Sequence, residues 1–178
     1  YAWWLSGAVS LLASLVDSGF DMLASLINFI AVRYALQPAD EEHRFGHGKA
    51  EALAGLGQSL FIMVSAVFLL MRGVDRVINP QPLQALDIAV TVMLVSIVLT
   101  LGLVWYQRKV IAQTGSVAIK ADSLHYVSDL LTNTGIVIAL VLSSLQFPQA
   151  DAVLAIAISL YIFYTAIQIW NESIQHLL

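Results

Sequence analysis

Two pairs of side chains could do chemistry: Asp17 with Asp21, and His125 with Asp129. Each pair is spaced four residues apart, about one helical turn, so its members stack on one helix face. Each also lies in an otherwise apolar run, where a carboxylate at bilayer depth costs at least ~2.5 kcal/mol on insertion scales. That cost calls for a compensating charge, and three carboxylates with one imidazole form a ligand set for a divalent cation. One imidazole among carboxylates suits Zn²⁺, Fe²⁺, Co²⁺ or Cd²⁺ better than Ca²⁺ or Mg²⁺. The chain has no cysteine, which excludes thiolate ligands and disulfides.

The elements that must position these pairs are membrane spans. Of 178 residues, 59% are hydrophobic and 11% charged, against roughly a quarter charged in soluble domains. The mean hydropathy is +0.81. Apolar runs cover about 7–36, 50–78, 83–107 (closed by Arg108-Lys109), 116–145 and 150–170. Asn79-Pro-Gln-Pro82 and Phe147-Pro148 read as turns, because proline cannot continue a helix. Five complete spans are expected, each above the ~20 residues a crossing needs. The period-2 alternation of barrel strands is absent, so the fold class is all-α, a polytopic transmembrane helical bundle. Lys and Arg gather in the first loop (Arg33, Arg44, Lys49) and the third (Arg108, Lys109, Lys120), with Arg72 and Arg76 weakening the contrast. The two richer loops are therefore expected in the cytoplasm. Asp21 and Asp129 then both fall near mid-depth, Asp17 about 6 Å further out and His125 about 7 Å toward the cytoplasm from a span centre near Leu130. The second, third and fifth runs carry no ionisable residue in their central turns, so the first and fourth are expected to face each other.

Blander readings exist for each residue. A lone intramembrane Asp can be a helix–helix hydrogen bonder, and a lone His can be satisfied by a backbone carbonyl. Two four-spaced pairs at matched depth favour a shared cation site. Asp122 precedes His125 by one turn but lies near the start of its span, where it could simply serve the first helical turn. Asn28 and Asn133 read as interhelical hydrogen bonders. The polar first loop holds Asp40, His43 and His47 at spacings of three and four, with Gly46 and Gly48 allowing a tight fold. These three form either a second ligand set or part of a solvated charged loop. No nucleic-acid partner is expected.

Three motifs then carry a resemblance: Asp17-xxx-Asp21, Phe45-Gly-His-Gly-Lys-Ala-Glu51 and Ala121-Asp-Ser-Leu-His-Tyr-Val-Ser-Asp129. Together they resemble the cation diffusion facilitator family, most of all its bacterial zinc/iron efflux members, and the similarity runs along the whole chain. The resemblance implies six transmembrane helices followed by a cytoplasmic metal-binding domain, working as a homodimer in the bacterial inner membrane with both termini cytoplasmic. Residues 1–178 would then be the transmembrane domain, lacking most of the first helix and all of the C-terminal domain. It implies a transport site at Asp17, Asp21, His125 and Asp129, and a second site at Asp40, His43 and His47. His at 125 resembles the zinc-selective pattern, whereas manganese-type members carry Asp there.

Ligand chemistry suggests the mechanism. Metal binding needs neutral His125 and ionised carboxylates, so metal and protons compete for the same atoms. A site opening alternately to each face would exchange them, giving a metal/proton antiporter with Zn²⁺ as cargo, Fe²⁺ and Cd²⁺ as alternatives, and no organic cofactor. The rival classes are a metal-dependent intramembrane hydrolase and a passive cation channel. The first is disfavoured because His-Glu-xx-His is lacking and four protein ligands leave no position for water. A buried, tightly binding site argues against the second, and no enzyme activity is expected.

Overall fold

The computed structural model describes residues 9–41, 44, 46–79, 87–144 and 149–178, without the side chains of 9–20, 87–90, 92, 143 and 144. It contains five helices: α1 (Val9–Ala35), α2 (Lys49–Ile78), α3 (Asp87–Thr114), α4 (Val117–Ser144) and α5 (Ala150–Leu177). No strand forms among the described residues. Four stretches, Lys49–Ile78, Met93–Thr114, Val117–Leu142 and Ala150–Leu177, are long and apolar enough to cross a membrane. α1 has 27 residues, about 40 Å at the helical rise. Large apolar side chains such as Phe29, Phe68, Trp105 and Tyr164 point outward and are more than half exposed, the arrangement expected of a surface that meets lipid. The chain is a multi-pass helical membrane protein.

Sequence dictates which helices sit at the centre. α2 buries Ala52, Gly55, Ser59, Ile62, Ala66 and Gly73, and α5 answers with Ala152, Ser159, Ile162, Ala166 and Ser173. Most of these are small, which lets two helix backbones approach closely where no hydrophobic effect drives them together. A Cβ on Gly73 would lie 2.9 Å from Ile156 Cγ1 and 3.2 Å from its backbone nitrogen, and one on Gly55 would lie 3.0 Å from Ser173 Oγ. α2 and α5 therefore pack along most of their length, α4 lies against both, and α3 lies against α4. α1 packs on α2 and meets α4 more sparsely.

Two helix ends differ from the expectation. α3 does not close at Arg108-Lys109 but continues to Thr114, because Arg and Lys are good helix formers and need only leave the apolar layer, not the helix. It stops at Gly115, whose φ of 66° suits glycine. Ser116 Oγ then accepts the Ile119 N–H at 3.2 Å and caps α4. α5 likewise continues beyond Trp170 through the polar ending to Leu177, where Lys49 Nζ donates to the Leu177 carbonyl at 2.7 Å.

Candidate metal site

α1 and α4 place the acidic and imidazole groups against one another. Asp21 Oδ1 lies 3.1 Å from His125 Nε2, and Asp129 Oδ2 lies 3.7 Å from the same nitrogen. Two ligands on one tetrahedral Zn²⁺ sit about 3.3–3.6 Å apart, given bonds of 2.0–2.2 Å, so both separations are near what a shared ion needs. Among the described residues, His125 Nε2 is buried yet makes no hydrogen bond. The His125 side chain is 12% exposed, against 37% for Asp21 and 52% for Asp129. The imidazole lies near the rings of Phe61 (centroids 6.2 Å apart) and Tyr126 (5.7 Å) and is more buried than either carboxylate. Among the described residues no three acidic or imidazole groups already enclose an ion-sized point. Asp17 occupies α1 one turn before Asp21, and its side chain lies outside the described part.

One turn along the same interface is a second polar centre. Asp122 accepts hydrogen bonds from Gln107 Nε2 of α3 at 2.9 Å, Asn28 Nδ2 at 3.4 Å and Ser25 Oγ at 3.4 Å. Ser25 Oγ is also 3.2 Å from the Tyr126 hydroxyl. Asp122 is therefore not a group serving the first turn of its own helix; it ties three helices together. Asn28 is the interhelical hydrogen bonder expected of it. Gln107 and Ser25 escaped the sequence reading, although Ser25 and Asn28 continue the Asp21 stripe at four and seven residues and Gln107 is the last polar residue before Arg108.

In the first loop, His47 Nε2 lies 3.4 Å from Asp40 Oδ2. The His47 side chain is only 2% exposed and stands edge-on to the Tyr34 ring, with centroids 4.4 Å apart. The loop is thus not uniformly solvated, because the end of α1 shelters its imidazole. Gly46, at φ 80°, provides the backbone reversal beside His47. His43 lies outside the described residues.

A sequence profile described as the cation efflux transmembrane domain matches residues 1–178. The chain is 52% identical over 178 residues to a relative named cation-efflux pump FieF from Klebsiella pneumoniae subsp. pneumoniae, covering all of this chain and 59% of the relative. Proteins of the same name from Yersinia pestis (strain Pestoides F) and Yersinia pseudotuberculosis serotype O:3 (strain YPIII) are 54% identical over the same span. The chain thus covers 59% of the length of these relatives.

Proposed function

The chain belongs to the cation diffusion facilitator family, and on that premise we propose that it is the transmembrane domain of a carrier exporting a divalent metal cation in exchange for protons. Zn²⁺ is the foremost cargo, with Fe²⁺ and Cd²⁺ as further ones, because a single imidazole among carboxylates favours borderline metals. Asp17, Asp21, His125 and Asp129 hold the cargo at the α1–α4 interface. The observation that carries this reading is His125 Nε2, buried and without a hydrogen bond but flanked at 3.1 and 3.7 Å by two carboxylates from different turns. In the tautomer that carries its proton on Nδ1, a nitrogen so placed can bond a cation. Asp40, His43 and His47 form a second metal site in the loop, for which the 3.4 Å approach of His47 to Asp40 is the support.

Exchange follows from the ligand set. Without a cation the two carboxylates repel each other, and either protons or a metal ion relieves the repulsion. Cargo leaving outward is replaced by protons, which are released when the site returns to the cytoplasmic face and takes up metal. The close α2–α5 pair and the sparser α1–α4 contact support a motion in which the site-bearing helices rock against the α2–α5 pair. The full protein is a homodimer of the bacterial inner membrane with cytoplasmic termini, and it is a carrier and not an enzyme.

The test is zinc uptake by the full-length protein reconstituted in proteoliposomes under an imposed pH gradient. Asp21→Ala or Asp129→Ala is expected to lower proton-driven uptake by more than the roughly 10–100-fold that losing a group which merely orients a metal ligand costs. Undiminished uptake by either variant would overturn the assignment.

A further inference from the structure

Asp21, Ser25 and Asn28 recur along α1 at steps of four and three, and Asp122, His125 and Asp129 along α4 at steps of three and four. Each set is one helical stripe, and the stripes meet in antiparallel register: Asp21 opposite His125, Ser25 and Asn28 opposite Asp122. Among the described residues, α1 packs mainly on α2, touches α4 little apart from this pairing, and does not pack on α3. Between α1 and α3 is a cavity of about 380 Å³, with Asp122 among its walls. The carboxylate of Asp122 closes that gap from one side, taking a donor from α3 and two from α1. Asn28 and Gln107 are 6% and 8% exposed, so their amides have little access to water in place of Asp122. Hydrogen bonds to an ionised acceptor are stronger than neutral ones, and burial raises the cost of breaking them.

We propose that Asp122 is a positioning residue that fixes the register and separation of α1 against α4, and so sets how closely Asp21 approaches His125 and which ion size the site prefers. The inference rests on the metal site proposed above. Asp122 does not contact the cargo; it acts through α1. With the carboxylate in place, Asp21 Oδ1 and His125 Nε2 stand near the spacing that a small tetrahedral ion requires. Without it, α1 keeps its packing on α2 and the Ser25–Tyr126 contact but loses the hydrogen bonds that Ser25 and Asn28 make to α4 and, through that carboxylate, its link to Gln107 of α3. A site of looser spacing discriminates less against an ion larger than Zn²⁺.

The experiment compares KM and kcat for Zn²⁺ and Cd²⁺ in proteoliposomes of the full-length protein for Asp122→Ala, Asp122→Asn and the exchange variant Asn28→Asp/Asp122→Asn, with Asp21→Ala alongside. Asp122→Ala is expected to raise the zinc KM by about tenfold, the scale found when groups that orient metal ligands are removed. Its cadmium KM should move less than about threefold, narrowing the zinc preference. Asp122→Asn falls between, and the exchange variant, which returns one carboxylate to the interface, recovers the preference. A purely structural role would lower kcat for both metals together and leave their KM ratio untouched, and that result would overturn the proposal. An exchange variant that does not recover the preference would overturn it as well. Full zinc transport by Asp21→Ala would instead remove the metal site itself, and this proposal with it.

Discussion

At the scale of single residues, His125 does what no carboxylate in the chain can do. In the proposed site it would contribute a nitrogen donor that is neutral when it binds metal, from a ring lying near those of Phe61 and Tyr126. On the proposed mechanism, protons and metal would compete for that nitrogen and for the carboxylate oxygens of Asp21 and Asp129, so the metal would have to displace whatever protons they hold. The sign follows directly: lowering pH raises proton occupancy and weakens zinc binding, whereas raising pH strengthens it until the ligands are fully deprotonated. Zinc titrations by calorimetry, in buffers of different ionisation enthalpy, should show net proton release that grows as the pH falls across the titration range of the site. Zinc affinity independent of pH would contradict this competition. Asp21, His125 and Asp129 were legible in the sequence because an ionisable group in an apolar run has a cost that must be met. Asp122 was not, because its partners Gln107, Asn28 and Ser25 come from two other helices, and no local spacing encodes such a convergence.

At the scale of elements, the apolar runs identified the helices but not all of their ends. α3 extends seven residues past Gln107 to Thr114, since hydropathy marks where the lipid stops and not where the backbone hydrogen bonding stops. The true stop is conformational, at Gly115. The α2–α5 contact was also hidden from the sequence reading, because small residues are a weak hydropathy signal although they decide how near two backbones come. Gly73 is where that contact is tightest. A Cβ there must push against the Ile156 side chain and backbone, and overpacking of this kind costs about 1–3 kcal/mol. Gly73→Ala should therefore lower the thermal unfolding midpoint of the detergent-solubilised protein, while Gly57→Ala, whose Cβ meets nothing within 4 Å, should leave it nearly unchanged. Equal effects would contradict the packing role.

At the scale of the whole molecule, the division of labour is between a close-packed α2–α5 pair and a polar α1–α4 interface. The first is built from small and apolar residues that hold one arrangement. The second is built from the groups proposed to exchange a cation for protons. Ion pairs tie the α5 ends to their neighbours, Arg76 to Asp151 and Lys120 to Glu172. Being part-exposed, they add little to stability but mark where α2 and α4 stay attached to α5. The apolar outer surface was readable from composition, and the fold class from long apolar runs without period-2 alternation, because lipid exposure constrains nearly every outward position. The relation between the loop and the bundle was not: His47 lies against Tyr34, a contact between a loop and a helix end that charge content does not reveal.

The central claim is that one cation is shared across the α1–α4 interface. Diffraction at the zinc absorption edge, from crystals of the full-length protein soaked in Zn²⁺, tests it most directly. The account predicts an anomalous peak at about 2.0–2.2 Å from His125 Nε2 and from carboxylate oxygens of Asp17, Asp21 and Asp129. Peaks confined to other parts of the protein, with His125 Nε2 facing no metal, would contradict it.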